Sequence, residues 1–175
     1  MRNLRNLRNL DVSWHGHPVT QADADALLRS PLAANLRQLR LGRVTQEARR
    51  ALLRAKSLSG LTAFDVSGDP SPPSPPDGLV GRWVREATHL QHLTWLDVSH
   101  SRLGNDGIAA LADSPHLARL TYLDVSGNGV TGAGLKPLAQ SPHLPALRTL
   151  VVGFPYGDQK TYQLLQERFD EVKWY

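Results

Sequence analysis

Four groups of residues have the types and spacing that chemistry needs. Asp11, Asp65, Asp97 and Asp124 recur in one setting, each with a serine two places on, at Ser13, Ser67, Ser99 and Ser126. Neighbouring carboxylates can share a proton and do acid–base work. Trp95 and Tyr122 stand two residues before the last two of these aspartates, and large aromatics are the types enriched at binding hot spots. His89, His116 and His143 fall at equivalent places before Leu93, Leu120 and Leu147, and imidazole binds zinc and copper. Gly127-Asn-Gly129-Val-Thr-Gly132 satisfies the G-x-G-x-x-G spacing of a dinucleotide loop.

Each group also has a plainer explanation. A dinucleotide site wants an acid about 20 residues beyond its glycines. Leu150, Val151 and Val152 occupy that stretch, so a turn is expected and no cofactor. The three histidines repeat because their units repeat, and a loop hydrogen bond at a helix end accounts for them without a metal. The aspartates should bond the serines that follow, with Arg40 bridging Asp11 and Asp65 and with Asp97 and Asp124 left to repel each other. No G-x-S-x-G, H-E-x-x-H or G-x-x-x-x-G-K-[ST] motif occurs, so no catalytic residue is assigned.

The elements that position these side chains come from a repeat. Leu93-Thr-Trp-Leu96-Asp-Val98-Ser matches Leu120-Thr-Tyr-Leu123-Asp-Val125-Ser. The L-x-x-L-x-[VL] pattern also starts at Leu7, Leu36, Leu61 (with Phe64 as its second large apolar residue) and Leu147. The starts at 7, 36, 61, 93, 120 and 147 are 25 to 32 residues apart. Alternation at period two predicts strands over 9–12, 38–41, 63–66, 95–98, 122–125 and 149–152. A helix-spaced half follows each strand, with Leu27 and Leu28, Leu52 and Leu53, or Ile108 and Leu111 on one face. Thr20, Thr45, Asn105 and Thr131 read as helix caps. One strand and one helix cannot bury both apolar faces alone, whereas stacked copies can. The expected architecture is an α/β solenoid of six parallel strands in sequential order.

With these motifs, the chain resembles the leucine-rich-repeat family over essentially its whole length. Its period of about 28 with full helices is similar to the ribonuclease-inhibitor-like subclass. The units beginning at Leu93 and Leu120, and the ending Leu165-Gln-Glu-Arg-Phe-Asp-Glu-Val-Lys-Trp-Tyr175, resemble those of large bacterial proteins of planctomycete type. The resemblance implies one domain over 1–175, strands on a concave face, helices on a convex face, and protein recognition without catalysis. It also implies Asn at the ninth place of each unit, which Asn128 supplies. His15, Val44, Asp69, Ser101 and Pro155 stand there elsewhere, so irregular loops are expected in the second and last units.

Breaks are legible too. Asp69-Pro-Ser-Pro-Pro-Ser-Pro-Pro-Asp77 is a Pro-rich loop, because prolines so dense lack backbone donors. Pro137 predicts a short, loose helix in the fifth unit. A closing helix and tail over 158–175 should cover the last coil. The first coil has no such cover, which exposes the edges of Leu7, Leu10, Val12, Leu27 and Leu28 and invites self-association or docking on a partner.

Composition limits the function. The 175 residues contain no cysteine, so disulfides, Cys-based zinc sites and thiol nucleophiles are excluded. No apolar run reaches the ~20 residues that span a membrane, and a cytoplasmic location is expected. Residues 1–60 carry 11 Lys and Arg against four acids, whereas the remainder carries nine against 12. A basic half can hold a polyanion, but this one lacks interleaved aromatics, so nucleic acid is the second choice. The first is a non-catalytic scaffold that binds an unidentified protein through Trp95, Tyr122, Asp97, Asp124 and Arg40.

Overall fold

The computed structural model describes residues 6–13, 16–68, 76, 78–153 and 159–175. His15, Pro155, Asp158 and the Pro-rich stretch, apart from Pro76, lie outside them. Strands and helices alternate in the order β1 (Asn9–Asp11), α1 (Gln21–Arg29), β2 (Gln38–Arg40), α2 (Gln46–Arg54), β3 (Ala63–Asp65), α3 (Leu79–Glu86) and β4 (Trp95–Asp97). They continue with α4 (Gly104–Ala112), β5 (Tyr122–Asp124), α5 (Gly132–Gln140), β6 (Thr149–Val152), α6 (Gln159–Arg168) and β7 (Glu171–Trp174).

All strands pair in parallel and in sequential order, forming one seven-stranded sheet. Six strands were expected. The seventh comes from the Glu171-Val-Lys-Trp segment, which lacks the leucine pattern and pairs with β6 through backbone. Consecutive helices pack side by side as a second layer. Between the layers, Leu39, Phe64, Leu96, Leu123 and Leu150 form a column with no exposed surface. In the first coil the equivalent Leu10 is only half-buried.

Equal positions of successive units pair without offset, as in Trp95 with Tyr122 and Asp97 with Asp124. Threonines before three strands reinforce this register. The hydroxyls of Thr62, Thr94 and Thr121 donate to the carbonyls of Arg37, Thr62 and Thr94, at 3.1, 3.1 and 2.8 Å. Thus the repeat in sequence becomes a ruler in space: one residue column per repeat position.

The helix starts depart from expectation at two of four caps. Thr20 closes a capping box with Asp23, and the Thr45 hydroxyl accepts from the Ala48 amide. Asn105 instead lies inside α4 and its side chain bonds Thr131, the residue before α5. Thr131 therefore caps nothing with its own hydroxyl. Nor does Pro137 shorten α5, which runs the same nine residues as α1, α2 and α4. The amide that Pro137 lacks would have bonded the carbonyl of Ala133, an exposed residue. Buried Leu135 and Leu138 hold the turn in place.

Loop regularity is kept by two different devices. Buried Asn128 accepts from the amides of Ser101 and Leu103 and donates to the carbonyls of Val98, Val125 and Ser126. The second unit has Val44 there, and irregularity was expected. Instead Arg49, only 3% exposed, reaches in from α2. Its Nε donates to the Val66 carbonyl and its Nη2 to the Val44 carbonyl, both at 2.6 Å. The guanidinium does there part of what the Asn128 amide does in the fifth unit. Gly68 leaves the room, since a Cβ on it would lie 2.9 Å from Arg49 Nη2 and 1.7 Å from the His100 carbonyl oxygen.

Candidate binding face

The sheet face turned away from the helices carries two residue columns. One runs Asn9, Gln38, Ala63, Trp95, Tyr122, Thr149 and Glu171; the other runs Asp11, Arg40, Asp65, Asp97, Asp124, Val151 and Lys173. All five residues proposed from sequence for partner binding, Trp95, Tyr122, Asp97, Asp124 and Arg40, lie in these two columns, and each is half-buried.

Trp95 and Tyr122 stack with centroids 5.0 Å apart and planes 10° from parallel. Arg40 joins them from two strands away. Its guanidinium carbon sits 5.0 Å from the Trp95 ring centroid, a cation–π contact. The intervening position in the aromatic column is Ala63, whose small side chain lets the arginine pass. Arg40 also pairs with Asp11 at 3.9 Å. The expected bridge to Asp65 is absent among the described residues, because the guanidinium is drawn over Trp95 instead.

The aspartates bond their serines as expected. Asp11 Oδ1 accepts from the Ser13 amide at 3.1 Å and its hydroxyl at 2.7 Å. Oδ1 of Asp65, Asp97 and Asp124 accepts from the amides of Ser67, Ser99 and Ser126 at 2.8–2.9 Å. Their charges are balanced unevenly. Ser13 first, and Arg40 to a lesser degree, hold the Asp11 carboxyl below the usual carboxylate range. Asp97 sits between Asp65 and Asp124, and burial followed by those two charges pushes it up to about 7. Burial and the nearby Asp124 and Asp97 carboxylates push the Tyr122 phenol up to about 12.

The other groups do not assemble into sites. Among the described residues no set of three His, Asp or Glu side chains could hold a metal ion. His143 lies 3.7 Å from Asp113, while half-buried His89 is lowered by burial and then by Lys56. Gly127 and Gly129 take φ of +64° on either side of buried Asn128, forming the turn into α5. That loop lines a cleft of about 490 Å³ with His100 and Tyr175, and the position where an acid would hold a ribose is buried β6.

The basic half is dispersed. Arg49 is buried, Arg54 pairs with Glu86 at 3.5 Å, and Arg40 is engaged as above. Among the described residues no helix is long and apolar enough to cross a membrane.

Residues 89–112 and 116–139 match the family model described as Leucine Rich repeat. The chain carries leucine-rich repeats. The first matched stretch contains β4 with Trp95 and all of α4, and the second contains β5 with Tyr122 and most of α5. Comparison with curated proteins finds no match. Leucine-rich repeats generally mediate protein–protein interaction and are typically non-catalytic scaffolds.

Proposed function

We propose that this protein is a non-catalytic, cytoplasmic scaffold of the ribonuclease-inhibitor-like subclass that binds a partner protein on the exposed face of its sheet. The observation that carries the reading is the Trp95–Tyr122 stack with Arg40 over it. Three large side chains are held in fixed positions on a rigid sheet, so little conformational entropy is lost when a partner covers them. Asp124 adds negative charge beside the stack and sets orientation, while Asp97, its carboxyl pushed up to about 7, adds a neighbouring group that can donate or accept a hydrogen bond. The full helix in each unit and the period near 27 support the subclass.

The test is affinity capture from the native lysate, with wild type beside Trp95→Ala/Tyr122→Ala. The wild-type bait should recover proteins that the double variant loses. Recovery of the same proteins by both sinks the assignment to this face.

A second contact rests on another observation. Half-buried Leu10, Val12 and Leu27 line an apolar cleft of about 370 Å³ at the first coil, with Val19, Ala24 and Leu41. We infer that this coil end packs against a second copy of the chain.

A further inference from the structure

At the edge where the chain enters the strands, a separate cleft of about 390 Å³ opens. Arg37, His92 and Arg119 line it with Ser59, Gly60 and the threonines of the register ladder. No carboxylate lines it. None of the stacked aromatics or the aspartate column takes part.

Arg37 is held in place. Its Nη1 donates to the carbonyls of Leu36 and Gly60, each at 3.2 Å. Gly60 is required for this, because a Cβ there would stand 1.9 Å from Nη1. The Thr62 and Thr94 hydroxyls are spent on the register ladder. That leaves His92, Ser59 and Arg119, all exposed and all without an ion pair or side-chain hydrogen bond among the described residues. Arg148, which precedes β6 as Arg37 precedes β2, is neutralised by Asp170 at 3.7 Å. The positive charge in the cleft has no such partner.

We propose that this cleft binds the phosphate group of an anionic ligand. Guanidinium forks suit tetrahedral oxyanions, offering paired donors at fixed geometry. Two guanidiniums, an imidazole and a hydroxyl outnumber what one carboxylate can accept, and they match a phosphate's three outer oxygens and its charge. A single phosphate leaves part of the volume empty, which accommodates a group esterified to it.

Isothermal titration of the full chain at low ionic strength tests this with inorganic phosphate, adenosine monophosphate and adenosine. Phosphate and the monophosphate should bind saturably at millimolar concentration or better, and adenosine should not. Equal affinity for the two anions identifies free phosphate as the source; tighter monophosphate binding identifies an ester. Exposed Arg119 is the residue to change, since the fold does not use it. Arg119→Ser should weaken binding about tenfold or more, the loss of a charged hydrogen bond. Arg50→Ser, an exposed arginine on α2 away from the cleft, should leave it unchanged. Absence of saturable binding overturns the proposal. So does equal weakening by the two substitutions, which would mean diffuse surface charge.

Discussion

Trp95 and Tyr122 lie face to face on neighbouring strands, 5.0 Å between ring centroids. That separation is nearly the ~4.8 Å between strands, so the unshifted register of β4 on β5 sets the stack. A double-mutant cycle of Trp95→Ala and Tyr122→Ala should show a coupling of about 0.5–1.5 kcal/mol in urea unfolding. Strict additivity would mean that the rings lie together without attracting.

Asp97 makes stability depend on pH. Its carboxyl titrates near 7 when folded, against 3.8 as the ordinary value. The folded chain therefore keeps a proton that the unfolded chain releases. The stability tied to that proton is complete below the ordinary value and is lost as pH rises through about 7. The loss is on the order of 4 kcal/mol. Asp97→Asn keeps a neutral side chain of the same shape and should flatten the slope between pH 3.8 and about 7. Urea titrations across that range check it; an unchanged slope in the variant removes Asp97 as the cause.

Arg49 is the structural counterpart of Asn128. Arg49→Met should destabilise the chain by about 2–4 kcal/mol, since it strips the buried carbonyls of Val44 and Val66 of their donors. Neighbouring Arg50→Met, at an exposed position, should stay within about 0.5 kcal/mol of wild type. Similar losses for the two would show that water replaces the guanidinium without cost.

The contrast between those two residues shows what was legible in the chain. Leu96, Val98, Leu123 and Val125 announce strands because their alternation and their repeat agree, and the repeat then places Trp95 against Tyr122. Neither argument reaches Arg49. Its contact with Val66 spans 17 residues between two units, at a loop where Val44 stands in the ninth place and offers no side-chain amide. The one available signal was that missing Asn, and it pointed to irregularity instead of to a substitute. Arg40 was placed in the right column but given the wrong second partner, because the gap over Ala63 depends on a neighbour's size. The strand at Glu171–Trp174 escaped for a third reason: it lacks the leucine pattern, and its place beside β6 comes from backbone pairing with local help from the Thr149–Glu171 hydrogen bond and the Tyr162–Trp174 ring contact.

The first coil supplies the last prediction. Leu10 belongs to the same column as Leu39 and Leu96, which have no exposed surface, yet it is only half-buried. The difference is not in its side chain but in what covers it. Among the described residues β1 pairs on one side alone, with β2, and Leu10, Val12 and Leu27 border an open apolar cleft. An unpaired strand edge beside apolar surface favours association. Light scattering should show the weight-average mass rising with concentration. Leu10→Glu should suppress that rise, because burying the new carboxylate against a second copy costs more than the contact returns. Circular dichroism of the variant checks that the helices remain. A constant monomer mass in both proteins, at every concentration reached, would show that the coil end is stable in water and that no second copy is needed to cover it.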